Sequence, residues 1–265
     1  MNCKNSTMYF NNNYYQYVLN KYKYLFQPGD IIAGTIFSKE TTGYLVNIGA
    51  KYAAYLPNKE IKLDSDNSLN NSLLANTTCE FFIFNTNKKS HQLILSLKRL
   101  VYIKSWQRIK QLQYENTIIY TYIYGTNKGG ILVKFENIQG FIPKSHIGYT
   151  KQNIELRNEN ICCKFLLVNE YKNKLIVSHK CALLEKNIEK IKVGYIIKAP
   201  ITYIKPYGIL VNVYNLPALL HISEINKEKI TNLHQLFKIG ETILVKVIHI
   251  NIKQGKLLVS YLNLE

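Results

Sequence analysis

The chain has 265 residues, with 34 Lys and Arg against 17 Asp and Glu, a formal charge of +17 and a pI near 9.5. So basic a chain repels itself unless a polyanion is near, which makes nucleic acid the leading partner and a merely solvated basic surface the bland alternative. No apolar run is long enough to span a bilayer, and five cysteines (Cys3, Cys79, Cys162, Cys163, Cys181) without a CxxC pair argue against a disulfide framework or zinc site and for a reducing compartment.

Residues 1–27 read as a leader. Met1-Asn2-Cys3-Lys4-Asn5 and the Asn/Tyr-rich residues after it lack the apolar core of a signal peptide and the amphipathic, Arg/Ser-rich character of a transit peptide. The chain is therefore expected to work where it is made. Tyr14–Phe26 is predicted helical and ends before Pro28. Asn, Lys, Ile and Tyr all have A/T-rich codons, so a biased genome and the liking of Tyr for strands account for most of the 21 tyrosines. An A/T-rich organelle genome or a bacterium fits both observations.

From residue 28 one module is used three times, at 28–98, 114–180 and 193–262. The openings are Gly29-Asp30-Ile31-Ile32, Asn116-Thr117-Ile118-Ile119 and Gly194-Tyr195-Ile196-Ile197. Fourteen residues after each opening stands a glycine (Gly43, Gly130, Gly208), and the closings at Ser96, Ser178 and Ser260 are 82 residues apart. A period that regular means a small unit repeated in tandem.

Within the first module, Tyr44, Val46 and Ile48 alternate with Leu45 and Asn47, the period of a strand with one buried face. Asp64–Thr78 is polar and is predicted to be an exposed insertion. Residues 99–113 change period: Trp106, Ile109 and Leu112 stand at helical spacing over Leu100–Gln113, with Trp106 as the anchor of a linker helix. The second module alternates through Ile131, Val133 and Phe135. A second linker helix is predicted over 181–192 from Leu184, Ile188 and Ile191. In the third module, strands are predicted at Ile196–Ile204, Gly208–Val213, Leu216–His221, Thr242–Asn251 and Lys256–Tyr261. Five short strands in about 70–80 residues suit a closed Greek-key barrel of the OB type. The expected fold is all-β, three tandem five-stranded OB barrels, with the recurring glycine at a bulge or a close backbone approach.

Nothing in the chain supports catalysis. Phosphodiester chemistry usually needs clustered carboxylates holding metal ions, and Asp30, Asp64 and Asp66 are the only aspartates. Asp64-Ser65-Asp66 lacks the further ligands and glycine of a calcium loop, and Lys128-Gly129-Gly130 lacks phosphate-loop spacing. No catalytic residue, metal site, cofactor or small-molecule substrate is expected.

Three sets of residues carry a resemblance: Pro206-Tyr207-Gly208-Ile209-Leu210-Val211, Leu220-His221-Ile222-Ser223-Glu224-Ile225 and Gly255-Lys256-Leu257-Leu258-Val259-Ser260. They resemble the S1 (S-one) RNA-binding repeat, named after a protein of the bacterial-type small ribosomal subunit. The first module (Pro28 to Ile36, then Ala54-Tyr55-Leu56-Pro57), the second (Lys128-Gly129-Gly130, then Gly140-Phe141-Ile142-Pro143) and Trp106, ten residues after Ser96, are similar to the same family. The likeness covers about nine-tenths of the chain, and the order of repeats is most similar to the plastid members.

That family reads single-stranded RNA on one barrel face, with two aromatics beside the strand glycine, a histidine, and an Asp and Arg near the last strand. The resemblance puts Tyr207 at the first aromatic position and His221 at the histidine. Leu210, Asn251 and Lys256 stand where the second aromatic, the Asp and the Arg are usual. Lys205, Asn212 and Lys253 complete the expected RNA-binding set. For His221 alone, a strand-end histidine satisfied by backbone is the competing reading.

In the first two repeats Thr42, Leu45, Pro57 and Gly129, Leu132, Pro143 fill the corresponding places, so no stacking platform is expected there. The resemblance implies a small-subunit ribosomal protein that binds messenger RNA and aids translation initiation. Its N-terminal repeats would dock to ribosomal RNA or protein and its third repeat would hold RNA, without membrane contact, in a plastid (chloroplast) that encodes it or else in bacterial cytoplasm. The alternatives are a free RNA-processing accessory factor and a general basic binder of DNA or membrane.

Overall fold

The computed structural model describes residue 17 and residues 25–50, 52–61, 77–87, 92–149, 159–225 and 233–262. The predicted leader helix falls largely outside these, although Tyr17 is helical and Phe26 is not; the polar insertion also lies outside them, apart from Thr77 and Thr78.

The first repeat forms β1 (Ile31–Lys39), β2 (Gly43–Asn47), β3 (Ala54–Pro57), β4 (Thr78–Thr86) and β5 (Leu93–Ser96). The second forms β6 (Ile119–Asn127), β7 (Gly130–Phe135), β8 (Ile138–Pro143), β9 (Asn160–Asn169) and β10 (Lys174–Ser178). The third forms β11 (Ile196–Lys205), β12 (Gly208–Val213), β13 (Leu216–His221), β14 (Thr242–Asn251) and β15 (Lys256–Tyr261). Each set closes into a barrel of the same strand order, first-second-third-fifth-fourth and back to the first. The third and fifth strands run parallel in every copy, at Tyr55 with Ile94, Phe141 with Ile176 and Leu219 with Leu258.

Alternation explains the cores. In the third barrel Ile201, Ile209, Val211, Ala218, Leu220, Val245, Val247, Leu257 and Val259 all point inward and are buried. In the first, Ile36, Val46, Leu56, Phe81, Ile83 and Leu95 do the same. The recurring glycine stands at a close approach, not a bulge. A Cβ on Gly43, Gly130 or Gly208 would sit 2.4, 2.0 or 2.3 Å from the carbonyl oxygen of Leu56, Ile142 or Leu220. Bulges lie on the first strand of each barrel, between Ile36 and Ser38, Ile123 and Gly125, and Ile201 and Tyr203, and on the fourth, between Ile83 and Asn85, Phe165 and Leu167, and Val247 and His249.

The chain divides into two compact units, Met1–Ser105 with the first barrel and Trp106–Glu265 with the other two. Helix α1 (Leu97–Tyr114) starts directly after β5, where the Ser96 hydroxyl oxygen accepts the Arg99 amide at 3.0 Å. Trp106 and Ile109 on it are fully buried. Helix α2 (His179–Lys186) follows β10 without a loop, its start capped by Ser178 accepting from the Cys181 amide. It is shorter than the predicted 181–192. Asn187 leaves the helical region, and its side-chain amide donates to the Leu183 carbonyl at 2.8 Å, closing the last turn. Ile188 therefore lies 42% exposed beyond the helix, while Leu184 and Ile191 join the third core. Lys164 on β9 pairs with Glu185 and ties α2 to the second barrel.

Within the Trp106–Glu265 unit the second and third barrels meet around α2. The Gly148 amide donates to Nδ1 of buried His179 at 3.3 Å, and the Tyr149 amide donates to the Asn215 carbonyl at 2.8 Å. Burial pushes the His179 imidazole down to about 4 from an ordinary value near 6.5. The folded protein then keeps the ring neutral where the unfolded chain takes up a proton. Stability held by that neutral ring is full above about pH 6.5 and is lost as the pH falls towards 4, by about 3 kcal/mol in all. Denaturant midpoints should drop across that window. His179→Gln keeps an acceptor for Gly148 but cannot titrate, and should flatten the drop; an unchanged slope would assign it elsewhere.

Candidate nucleic-acid interface

Strand parity builds the outer face of the third barrel. With Ile209, Val211 and Val213 inside, Leu210 and Asn212 face out. The ladder then sets one row across the face: Tyr203, Leu210, Leu219, Leu258 and His249, each paired with the next. Tyr203 is 58% exposed. Toward one end of the strands Lys205 pairs with Gly208, and Gly208 with His221. In the turn beside them Tyr207 is 49% exposed, with the Lys205 ammonium 5.6 Å from its ring centroid. That cation–π contact holds a positive charge beside a flat ring. Toward the other end Asn212 pairs with Pro217, and Lys256 with Asn251.

The expected residues thus fall into two groups, Lys205, Tyr207 and His221 at one edge and Asn212, Asn251, Lys253 and Lys256 at the other. Four residues separate Gly208 from Asn212 along β12, roughly 13 Å of strand. Leu210 lies between, in the apolar row. This is a surface on which bases can stack while phosphates meet lysines at either edge.

The individual side chains refine the expectation. His221 Nδ1 caps the 3-10 turn Ile222–Glu224, accepting the Ser223 amide at 3.3 Å. The backbone thus satisfies one of its two ring nitrogens. Asn251 Oδ1 accepts the Gln254 amide at 3.0 Å, shaping the β14–β15 turn and taking the oxygen out of the role an Asp would have. The Asn212 Oδ1 is buried and has no hydrogen bond. Lys253 and Lys256 are exposed.

Residues 190–261 match the S1 RNA binding domain. Over 243 residues the chain is 45% identical to small ribosomal subunit protein bS1c of Pyropia yezoensis, covering 92% of both chains. The bS1 family of small ribosomal subunit proteins includes this chain. It is also 39% identical over 248 residues to bS1A of Synechocystis sp., with 94% of this chain and 76% of that one covered. Against bS1c of Spinacia oleracea it is 29% identical over 248 residues, covering 93% of this chain and 60% of that one.

In this bS1-family chain the first two barrels are less bare of aromatics than their sequences imply. Leu45 pairs with Tyr55 and Leu132 with Phe141, the place Leu219 holds opposite Leu210 in the third barrel. The Tyr55 ring lies over Gly43, within 2.8 Å of where a Cβ would be, and its hydroxyl bonds Thr42 Oγ1 at 2.6 Å. The Phe141 ring lies over Gly130 at 3.0 Å from that position. The flat ring has moved to the neighbouring strand. On β6, Tyr120, Tyr122 and Tyr124 are exposed at alternate positions. Alternation was the signal that could have found them, as parity opposite Leu210 could have found Tyr203. Among the described residues, no group of three His, Cys, Asp or Glu is placed to hold a metal.

Proposed function

We propose that this chain captures messenger RNA on the small ribosomal subunit of a plastid whose genome encodes it, acting by binding and not by catalysis. Residues 193–262 hold the single strand, and the repeats at 28–98 and 114–180 dock to the subunit. The observation that carries the RNA role is the third barrel's outer face, where exposed Tyr203 and Tyr207 lie beside Lys205 and His221. Membership of the bS1 family supports the ribosomal role. The family's name for its members, and the absence of carboxylates after Asp66 other than glutamates, support the reading without catalysis.

The double change Tyr207→Ala with His221→Ala should weaken poly-U binding by about 1–3 kcal/mol, the worth of one stacked base, because phosphate contacts persist. Lys256→Ala should mainly flatten the salt dependence. Both variants should still sediment with isolated small subunits. Poly-U binding unchanged by the double change would overturn the assignment of the RNA face. A wild-type chain that fails to sediment would favour the free accessory factor.

A further inference from the structure

The third barrel does not present its face alone. Tyr149, from the loop after β8 in the second repeat, bonds Thr202 Oγ1 of β11 through its hydroxyl at 2.6 Å. Its amide meets the Asn215 carbonyl at the β12–β13 turn. A Cβ on neighbouring Gly148 would come within 2.5 Å of Leu183 Cδ1 and 2.9 Å of the Asn215 oxygen. The second repeat thus borders the third along the side where Asn212 lies.

The linker helix closes on the same edge, at the β14–β15 turn. The Cys181 thiol lies 3.6 Å from the Lys253 carbonyl. Gly255, at φ +62, presses on the helix so closely that a Cβ would sit 2.8 Å from Lys180 Cβ and 3.2 Å from the Cys181 nitrogen. Lys180 is thereby set against the turn that carries Lys253 and Lys256. None of these three lysines has an acidic partner among the described residues.

His146 of the second repeat completes the group. Ser178 Oγ accepts the Cys181 amide and lies in hydrogen-bond contact with His146 Nδ1 at 3.0 Å, which ties the imidazole to the start of α2. Burial first, and then the charges of Lys180 and Lys256, hold His146 below its ordinary value. Lys180 itself is half-buried. A partly desolvated ammonium with lysine neighbours and no carboxylate is stabilised by an external anion.

We infer that the seam between the second and third repeats is a phosphate-binding step on one continuous RNA path, with Lys180 of the linker and Lys256 of the third repeat clasping a backbone phosphate beside His146. The inference rests on the third-repeat face being the RNA site. It assigns a role to the linker: a strand leaving that face runs over α2 to the second repeat.

The test uses the full chain with Lys180→Met, which keeps the aliphatic packing, and Lys180→Arg, which keeps the charge. Poly-U binding by Lys180→Met should be about threefold to tenfold weaker, and its log–log salt slope should fall by about 0.7, the value for one phosphate contact on a single strand. Lys180→Arg should restore both. An oligo-U of about four nucleotides, near the minimum site of one OB barrel, should bind Lys180→Met as it binds the wild type. Lys198→Gln, on exposed Lys198 of β11 paired with Leu244, should change the slope less. Inorganic phosphate at matched ionic strength should not compete with poly-U.

An unchanged slope in Lys180→Met, with Tyr207→Ala/His221→Ala still weakening poly-U, would overturn the seam and leave the RNA face standing. Insensitivity to all these variants would overturn both. A loss equal for the tetranucleotide, or equal in Lys198→Gln, or competition by free phosphate, would each refute a continuous path.

Discussion

Gly130→Ala should destabilise the Trp106–Glu265 unit by roughly 2–4 kcal/mol in a denaturant melt followed by circular dichroism, within the range of severe single changes. The added methyl would stand 2.0 Å from the Ile142 carbonyl oxygen and 3.0 Å from the Phe141 ring. The oxygen belongs to the strand paired with Gly130, so it moves only if β7 and β8 part. Swinging the Phe141 ring aside would leave the backbone clash in place. Gly125→Ala is the control: its nearest neighbour would be Leu132 Cδ1 at 3.6 Å, ordinary contact. Equal losses from the two changes would mean that glycine's place in this repeat is not steric.

Trp106→Ala should cost about 3–5 kcal/mol, the usual figure for truncating a buried aromatic. Trp106 is fully buried and heads the largest enclosed side chains, with Ile109 beside it at the next helical turn. The alanine leaves a cavity that a rigid helix cannot collapse into. Tyr114→Ala at the end of the same helix should cost almost nothing, because Tyr114 is 92% exposed. The lost tryptophan removes the fluorescence signal, so the melt is read by circular dichroism. A loss below about 1 kcal/mol would show that the surroundings refill the site.

The barrels were legible because strand period two and a fixed glycine spacing are local signals. In the third repeat the predicted strands coincide with the observed ones, apart from β11 running one residue further to Lys205. The end of α2 was not legible. Ile188 and Ile191 continue a helical spacing, and only the side-chain bond from Asn187 to Leu183 reveals the stop.

For the candidate site, the residue types and their placement were not equally open to the sequence. Tyr207, Lys205 and His221 do come together, because all stand next to one glycine in sequence or in register. Asn251 was read as a ligand, yet a turn amide claims its oxygen, a competition that no spacing reveals. Tyr55 and Phe141 escaped notice because their place opposite Leu45 and Leu132 is a cross-strand relation, set by hairpin register and not by distance along the chain.

Barrel closure by the last strand also governs the chain while it is being made. Each first strand finds its second partner only in the fourth, and each third strand only in the fifth. A nascent repeat therefore carries two open edges until its final residues emerge, as Ile31 must wait for Phe82 and Tyr55 for Ile94. At roughly 5–20 residues per second that wait lasts several seconds, long enough for open edges to recruit the wrong strand. The hazard ends repeat by repeat. Helix α1 or α2 begins at the residue after the closing serine, so a linker starts to leave the ribosome only when the barrel before it has all its strands.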